Sequence, residues 1–153
     1  METVLVTGSE GFIGGYIVKK LLDDGKLKVK GGQFKGKRIT FHDPCYLGRY
    51  NQEYDSPREI ISESASSVTE MQRHRNESFC CGAGGARMWM EENLGTRINE
   101  ERVLQAEKTG ADTLATGCPF CMTMLSDGIA ASGNSEKLET RDVAELMLES
   151  IKT

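Results

Sequence analysis

The chain has 153 residues, of which 38% are hydrophobic, and a formal net charge of −4. A chain of about this length can bury roughly 70% of its unfolded surface, so one compact domain is expected without covalent cross-links. The acidic balance argues against binding to nucleic acid or to anionic membranes, and no stretch approaches the roughly 20 apolar residues of a membrane span.

The N-terminal segment predicts a β-turn-α unit. Residues 3–7, which contain the apolar run 4–6, are typical of a buried strand, a glycine-rich turn follows, and residues 12–24 have the pattern of a helix closed by Gly25. The first three residues are not basic, and the apolar run is far too short for the core of a signal peptide. A reducing cytoplasm is therefore the expected location.

The rest of the chain alternates predicted strands and helices. Short β-branched or apolar runs predict strands over residues 37–42, 67–71 and 113–116. Helical patterns lie over residues 56–64, 88–109, 119–131 and 141–151. Ser56 is the predicted cap of the first of these helices. The alternation predicts an α/β fold, an open and mostly parallel sheet with flanking helices, whose functional crevice lies at the carboxyl ends of the strands.

The five cysteines form the most informative pattern of the chain. They are Cys45, the adjacent Cys80 and Cys81, and the spaced pair Cys118 and Cys121. Thiolate is a soft ligand that selects zinc, copper(I) or iron–sulfur clusters, and the two-residue spacing of the last pair suits two ligands of one ion. Gly82, behind the adjacent pair, allows the sharp bend that both sulfurs need to face one centre.

Two other interpretations of the cysteines are weaker. A disulfide framework is disfavoured by the odd number and by the expected reducing compartment. Cysteines that are buried only as small hydrophobic residues would not produce both an adjacent pair and a spaced pair. Because Cys45 and Cys118 each follow a predicted strand, we predict that all five thiols share one metal site at the strand ends.

Three segments resemble a known family, the cysteine-rich CCG domain of heterodisulfide reductase catalytic subunits and related iron–sulfur oxidoreductases. The segments are FHDPCYLGR at 41–49, FCCGAGGARMWM at 79–90 and CPFCMTM at 118–124. The resemblance covers roughly residues 26–151. It implies that Cys45, Cys80, Cys81, Cys118 and Cys121 hold a 4Fe-4S cluster of opened, noncubane form, with zinc as the alternative metal.

The resemblance also implies a function. The chain would be an electron-transfer module that passes electrons from a flavin or ferredoxin-type donor, on other subunits or domains of an oxidoreductase complex, to a disulfide or quinone-type acceptor. Such a module would be cytoplasmic or peripheral to a membrane complex. The alternative on the same cysteines is a zinc-binding structural or interaction domain.

Side chains near the cysteines have two interpretations each. Arg49 and Arg87 would offset the charge of an anionic cluster or steer an acidic substrate, or they are ordinary arginines. His42 is interpreted as a strand-end histidine bonded to backbone rather than a ligand, and His74 as solvated. Trp89 is predicted to shield the cluster within the core, together with Met88, Met90, Met122 and Met124.

The first residues resemble a different family. The segment VLVTGSEGFIGG at 4–15 is similar to the nucleotide-binding loop of extended short-chain dehydrogenases and epimerases, which implies NAD binding at Gly8, Gly11 and Gly14. This similarity ends after about 25 residues, and no ribose-binding acid follows at the right distance. We interpret residues 1–26 as a vestigial or chimeric Rossmann-like start and residues 27–153 as the CCG domain, one repeat of a protein that usually carries two. An NAD-binding dehydrogenase fragment is the third functional hypothesis.

Overall fold

The structure is a computed structural model that describes residues 20–21, 23–25, 34–64, 67–91 and 94–151. Gly8, Gly11 and Gly14, with most of the predicted β-turn-α unit, lie outside the described residues. The described strands are β1 (Arg38–Phe41), β2 (Ser67–Val68), β3 (Thr113–Thr116) and β4 (Glu139–Asp142). The α-helices are α1 (Asp55–Glu63), α2 (Ile98–Glu107), α3 (Pro119–Ser132) and α4 (Val143–Ile151).

The four strands form one parallel sheet in the order β2-β1-β3-β4. Ile39 pairs with Thr113 between the two central strands, and Thr113 pairs with Glu139 on the outer side. All four strands therefore point their carboxyl ends toward the same edge of the sheet. The predicted α/β fold with a parallel sheet and flanking helices is confirmed.

Helices cover both faces of the sheet. On one face, α2 and α3 contribute Val103 and Leu125 to a buried cluster that includes Leu114 of β3. On the other face, Ile61 of α1 and Leu146 of α4 join a second buried cluster that includes the next residue of β3, Ala115. Successive β3 residues thus enter opposite clusters, as the two-residue period of a strand requires, and this explains why all four residues of this central strand are buried.

The close packing of α2 against α3 depends on Gly128. A Cβ atom built at Gly128 would lie 2.9 Å from Cγ2 of Val103 and 3.0 Å from the backbone oxygen of Asn99. We expect Gly128→Ala to lower the free energy of unfolding by about 1–2 kcal/mol, because the strain of overpacking exceeds the gain in helix propensity. Urea denaturation measures this change. Gly84→Ala adds the same methyl group where no other atom lies within 4 Å, and a loss as large as that of Gly128→Ala would contradict the packing argument.

The prediction of one helix over residues 88–109 is wrong in its first half. A 3₁₀ helix covers Gly84–Trp89, Met90 is extended, and α2 begins only at Ile98. Gly95 lies between them with a φ of +72°, a left-handed conformation that ends a regular helix. Leu94, which the helical spacing placed on the apolar face, is 92% exposed.

The strand β4 was not predicted from the sequence, and two helices begin away from their predicted starts. Three of the four β4 residues are charged, and such a strand at the edge of a sheet lacks the apolar pattern of an inner strand. The predicted helix over 141–151 therefore begins two residues later, at Val143. The N-cap residue of α1 is Tyr54 and not the predicted Ser56. Ser56 lies inside the first turn, where its backbone N–H donates a hydrogen bond to the Glu53 carboxylate. None of the helices in the described ranges is long and apolar enough to cross a membrane.

Candidate metal centre

Two strand ends and one loop bring the cysteines together. Cys45 follows β1 after the segment His42–Pro44 and precedes a short π-helix, Tyr46–Tyr50. Cys118 lies after the neighbouring strand β3 and is the N-cap residue of α3, whose first residue is Pro119. Cys121 lies in the first turn of that helix. The Cys80–Cys81 loop joins this edge of the sheet, since Cys45, Cys80, Cys81 and Cys121 line one pocket.

The thiols form a continuous chain of contacts. The side chain of Cys81 is hydrogen-bonded to those of Cys80 and Cys121, and Cys121 is hydrogen-bonded to Cys118. Cys45 interacts electrostatically with Cys80. All five are free thiols, with Cys81 and Cys121 buried and Cys45 and Cys80 exposed. The site therefore has a buried end, formed by Cys81 and Cys121, and a solvent-accessible end.

Gly82 gives the cysteine pair its geometry. Its φ is +91°, which favours glycine, and a Cβ atom there would lie 3.2 Å from Cβ of Ile98 and 3.3 Å from Cε of Met124. The Gly82 N–H donates to Sγ of Cys80 over 3.3 Å. The loop is tied to the Cys45 segment by the Arg49 guanidinium, which donates to the backbone oxygen of Ser78 over 2.5 Å.

The thiols divide into two groups by acidity. Hydrogen bonding with Cys121 and Cys80 lowers the pKa of Cys81 far below that of an ordinary thiol, and hydrogen bonding with Cys121 and with backbone N–H groups of α3 lowers the pKa of Cys118 to about 6. The same interactions raise the pKa values of Cys121 and Cys80, which keep their protons. Deprotonation of the remaining thiols would place more negative charges close together, and a bound cation is needed to offset them. The donor set thus fits a soft metal ion or an iron–sulfur cluster.

The pKa of about 6 at Cys118 predicts the reactivity of the metal-free chain. The rate of Cys118 alkylation by iodoacetamide should rise with pH through about 6 and then level off, because the thiolate is the reactive form. Cys80, whose pKa is raised, should still be gaining reactivity at pH 8. Mass spectrometry of labelled peptides from reduced, chelator-treated protein gives both profiles. A Cys118 rate that continues to rise through pH 8 would contradict the assignment.

His42 lies against the buried end of the site. One ring nitrogen of His42 and the sulfurs of Cys81 and Cys121 all lie within 4.8 Å of one another. The prediction that His42 is bonded to backbone is wrong, because Nε of Arg102 donates to Nδ1 of His42 over 3.0 Å and the ring is also hydrogen-bonded to Cys81. Complete burial lowers the pKa of His42, which favours the neutral ring.

Two buried arginines near the site, Arg102 and Arg58, were not predicted from the sequence. Arg102 lies within α2, one turn from the buried Asn99 and Ala106, and it is fully buried. A charged residue on the apolar face of a helix was the signal that could have revealed it. Burial lowers the pKa of Arg102 to about 10, so the guanidinium remains protonated at pH 7. Arg58 of α1 binds Asp43, two residues before Cys45, with N–O distances of 2.7 and 3.0 Å.

Other predicted residues lie in varied positions. Arg49 lines the pocket, whereas Arg87 is exposed on the 3₁₀ helix. The interpretation of Trp89 and Met90 as buried shielding is wrong, since they are 80% and 55% exposed. Met124 is buried, and Met88 packs partly buried against the same cluster. His74 is half-buried, and its Nδ1 lies 2.8 Å from the backbone oxygen of Met71, so it is not simply solvated.

A parallel α/β sheet that gathers five free thiols at the carboxyl ends of its strands defines a cysteine-rich domain suited to a soft metal centre. The model of one family, described as the cysteine-rich domain CCG, matches residues 39–126. The chain belongs to this family.

Curated relatives are named as iron–sulfur or electron-transfer proteins. The chain is 44% identical over 88% of its length to the "Probable iron-sulfur-binding oxidoreductase FadF" of Bacillus subtilis, and 39% identical over 86% to the EtfAB:quinone oxidoreductase of Syntrophomonas wolfei. It is 38% identical over 81% to one subunit of the dihydromethanophenazine:CoB–CoM heterodisulfide reductase of Methanosarcina barkeri. The chain spans 19% of the first two relatives and 30% of the third.

Proposed function

We propose that this chain is an iron–sulfur electron-transfer module of a larger oxidoreductase. In this proposal, the five thiols hold one 4Fe-4S cluster of noncubane type: Cys45, Cys80, Cys81, Cys118 and Cys121. The observation that carries the proposal is the convergence of all five thiols at one edge of the sheet. The names of the curated relatives support the same chemistry.

The residues around the thiols have separate roles in this proposal. A bound cluster supplies single-electron transfer. Burial of Cys81 and Cys121 excludes water from one end, which influences the potential, while exposed Cys45 and Cys80 face the surface where electrons enter or leave. Arg49 and Arg75 line the same pocket and offset the negative charge of thiolates.

Exposed aromatic side chains support a partner at this end of the sheet. Tyr46 follows Cys45 and is 64% exposed, and Phe120 lies between Cys118 and Cys121 and is 58% exposed. Large exposed aromatic residues beside a functional site are typical of interaction surfaces. The proposed occupant is another subunit or domain of the oxidoreductase that carries a flavin or ferredoxin-type donor, with a disulfide or quinone as the final acceptor.

Metal analysis of protein purified anaerobically tests the proposal. Iron and acid-labile sulfide at about four each per chain, with a paramagnetic signal in one oxidation state, are expected. Zinc at about one per chain without sulfide would replace the proposal by the zinc-binding domain, which predicts a colourless protein that unfolds when the metal is chelated.

The hypothesis of NAD binding at Gly8, Gly11 and Gly14 remains a separate prediction about residues 1–26. Titration with NAD(H), followed by calorimetry or by nicotinamide fluorescence, tests it. Saturable binding in the micromolar range would support a nucleotide site. The absence of heat and of a fluorescence change would favour the vestigial or chimeric interpretation.

A further inference from the structure

Arg102, His42 and Cys81 form a buried hydrogen-bonded chain that ends on a cysteine sulfur. Arg102 is held in place by three acceptors besides the histidine: its Nη1 donates to the backbone oxygen of Arg73 over 2.8 Å and to Oε1 of Gln105 over 2.9 Å, and its Nη2 donates to Oγ of Ser78 over 3.2 Å. Its Nε donates to Nδ1 of His42 over 3.0 Å. Because these four bonds fix the guanidinium, the plane and position of the imidazole are fixed as well.

The donor at Nδ1 determines where the histidine proton lies. A guanidinium has five N–H donors and no acceptor, so Nδ1 of His42 must be the unprotonated, accepting nitrogen. The ring is therefore neutral with its proton on Nε2, the nitrogen left for the hydrogen bond with Cys81. Histidines that bind metals donate their other N–H to an acceptor, whereas here the other nitrogen already accepts a bond. His42 is thus a donor to sulfur and not a metal ligand, despite its short distance to Cys81 and Cys121.

We propose that Arg102 locks His42 in the Nε2–H tautomer, and that His42 acts as a positioning residue whose N–H donates to the Cys81 sulfur and raises the reduction potential of the centre bound there. The inference rests on the proposed function. A hydrogen bond to a ligating sulfur favours the reduced, more negative state, and such bonds are among the factors that set cluster potentials. The buried charge of Arg102 acts in the same direction.

The tautomer can be tested without any bound cluster. The chain has two histidines, and the structure gives them opposite tautomers, because Nδ1 of His74 faces a backbone carbonyl oxygen, which can only accept. Nitrogen-15 spectra of metal-free protein at about pH 8, above the usual histidine pKa, should show His42 protonated at Nε2 and His74 protonated at Nδ1. A His74→Gln variant assigns the signals. A proton on Nδ1 of His42, or on both of its nitrogens, would overturn the inference.

The effect on potential is tested by a pair of His42 variants in the metal-loaded protein. His42→Leu removes the donor and should lower the midpoint potential, whereas His42→Gln keeps an N–H donor and should restore most of the shift. His74→Gln serves as the matched control and should leave the potential unchanged. Equal potentials in wild type and His42→Leu would refute the inference. If wild-type protein contains no redox-active metal, the proposed function fails, and the nitrogen-15 spectra still decide whether His42 has the tautomer that the bond from Arg102 requires.

Discussion

Replacement of Cys81 by serine should abolish metal binding, with at least a tenfold loss of iron per chain after anaerobic purification. Cys81 is 4% exposed, and its sulfur is hydrogen-bonded to Cys80, Cys121 and His42. Because Cys81 links Cys80 to Cys121, its sulfur lies inside the proposed ligand set rather than at its edge. A serine hydroxyl remains protonated near neutral pH and is a harder, poorer ligand for iron.

Cys45→Ser is the matched control because Cys45 is exposed at the edge of the site. A cubane 4Fe-4S cluster needs four cysteine sulfurs, and the proposed centre has a fifth, which we take to be that of Cys45. The Cys45→Ser variant should therefore retain most of its iron but change the paramagnetic spectrum. Iron and sulfide analysis, with circular dichroism of the metal-free proteins as a check of folding, compares the two variants. Full iron content in correctly folded Cys81→Ser would be incompatible with a centre built on Cys81.

The sequence predicted those elements whose signals are local. The strand β3 consists of β-branched and apolar residues, all of them buried, and α3 begins with proline directly after Cys118 and ends before a left-handed Gly133. Edge strand β4 lacked such a signal, because its charged residues match neither a buried strand nor an amphipathic helix. The turns that end the 3₁₀ helix and precede α2 were missed for another reason, since apolar residues at helical spacing continue through them.

The cysteine ligands were predictable, whereas the groups that hold them were not. Spacing and soft-ligand chemistry identify five thiols without a structure. The contacts of Arg102 with His42, and of Arg58 with Asp43, join residues 60 and 15 positions apart. No short-range pattern encodes such pairs, and a single sequence gives only the hint that an arginine occupies a core-facing helical position.

The ion pair between Arg58 and Asp43 predicts the largest stability change in the fold. The Arg58 guanidinium spans Asp43 and Glu70, with bonds of 2.7 and 3.0 Å to Asp43 and of 2.5 and 2.9 Å to Glu70. Asp43 is 4% exposed. We expect Arg58→Met to lower the free energy of unfolding by about 3–5 kcal/mol, because two carboxylates are left side by side, one of them buried, without their cation. Urea denaturation of the metal-free chain at pH 7 measures the loss.

The double variant Asp43→Asn/Arg58→Met separates charge from packing. If the uncompensated Asp43 carboxylate causes the loss, the double variant should recover at least half of it, because the neutral amide can be buried at lower cost. Arg58→Lys should lose less than Arg58→Met, since an ammonium keeps the charge but cannot bind two carboxylates through a planar fork. A double variant as unstable as Arg58→Met would assign the loss to the packing of Arg58 over the Phe41 ring, 5.2 Å away.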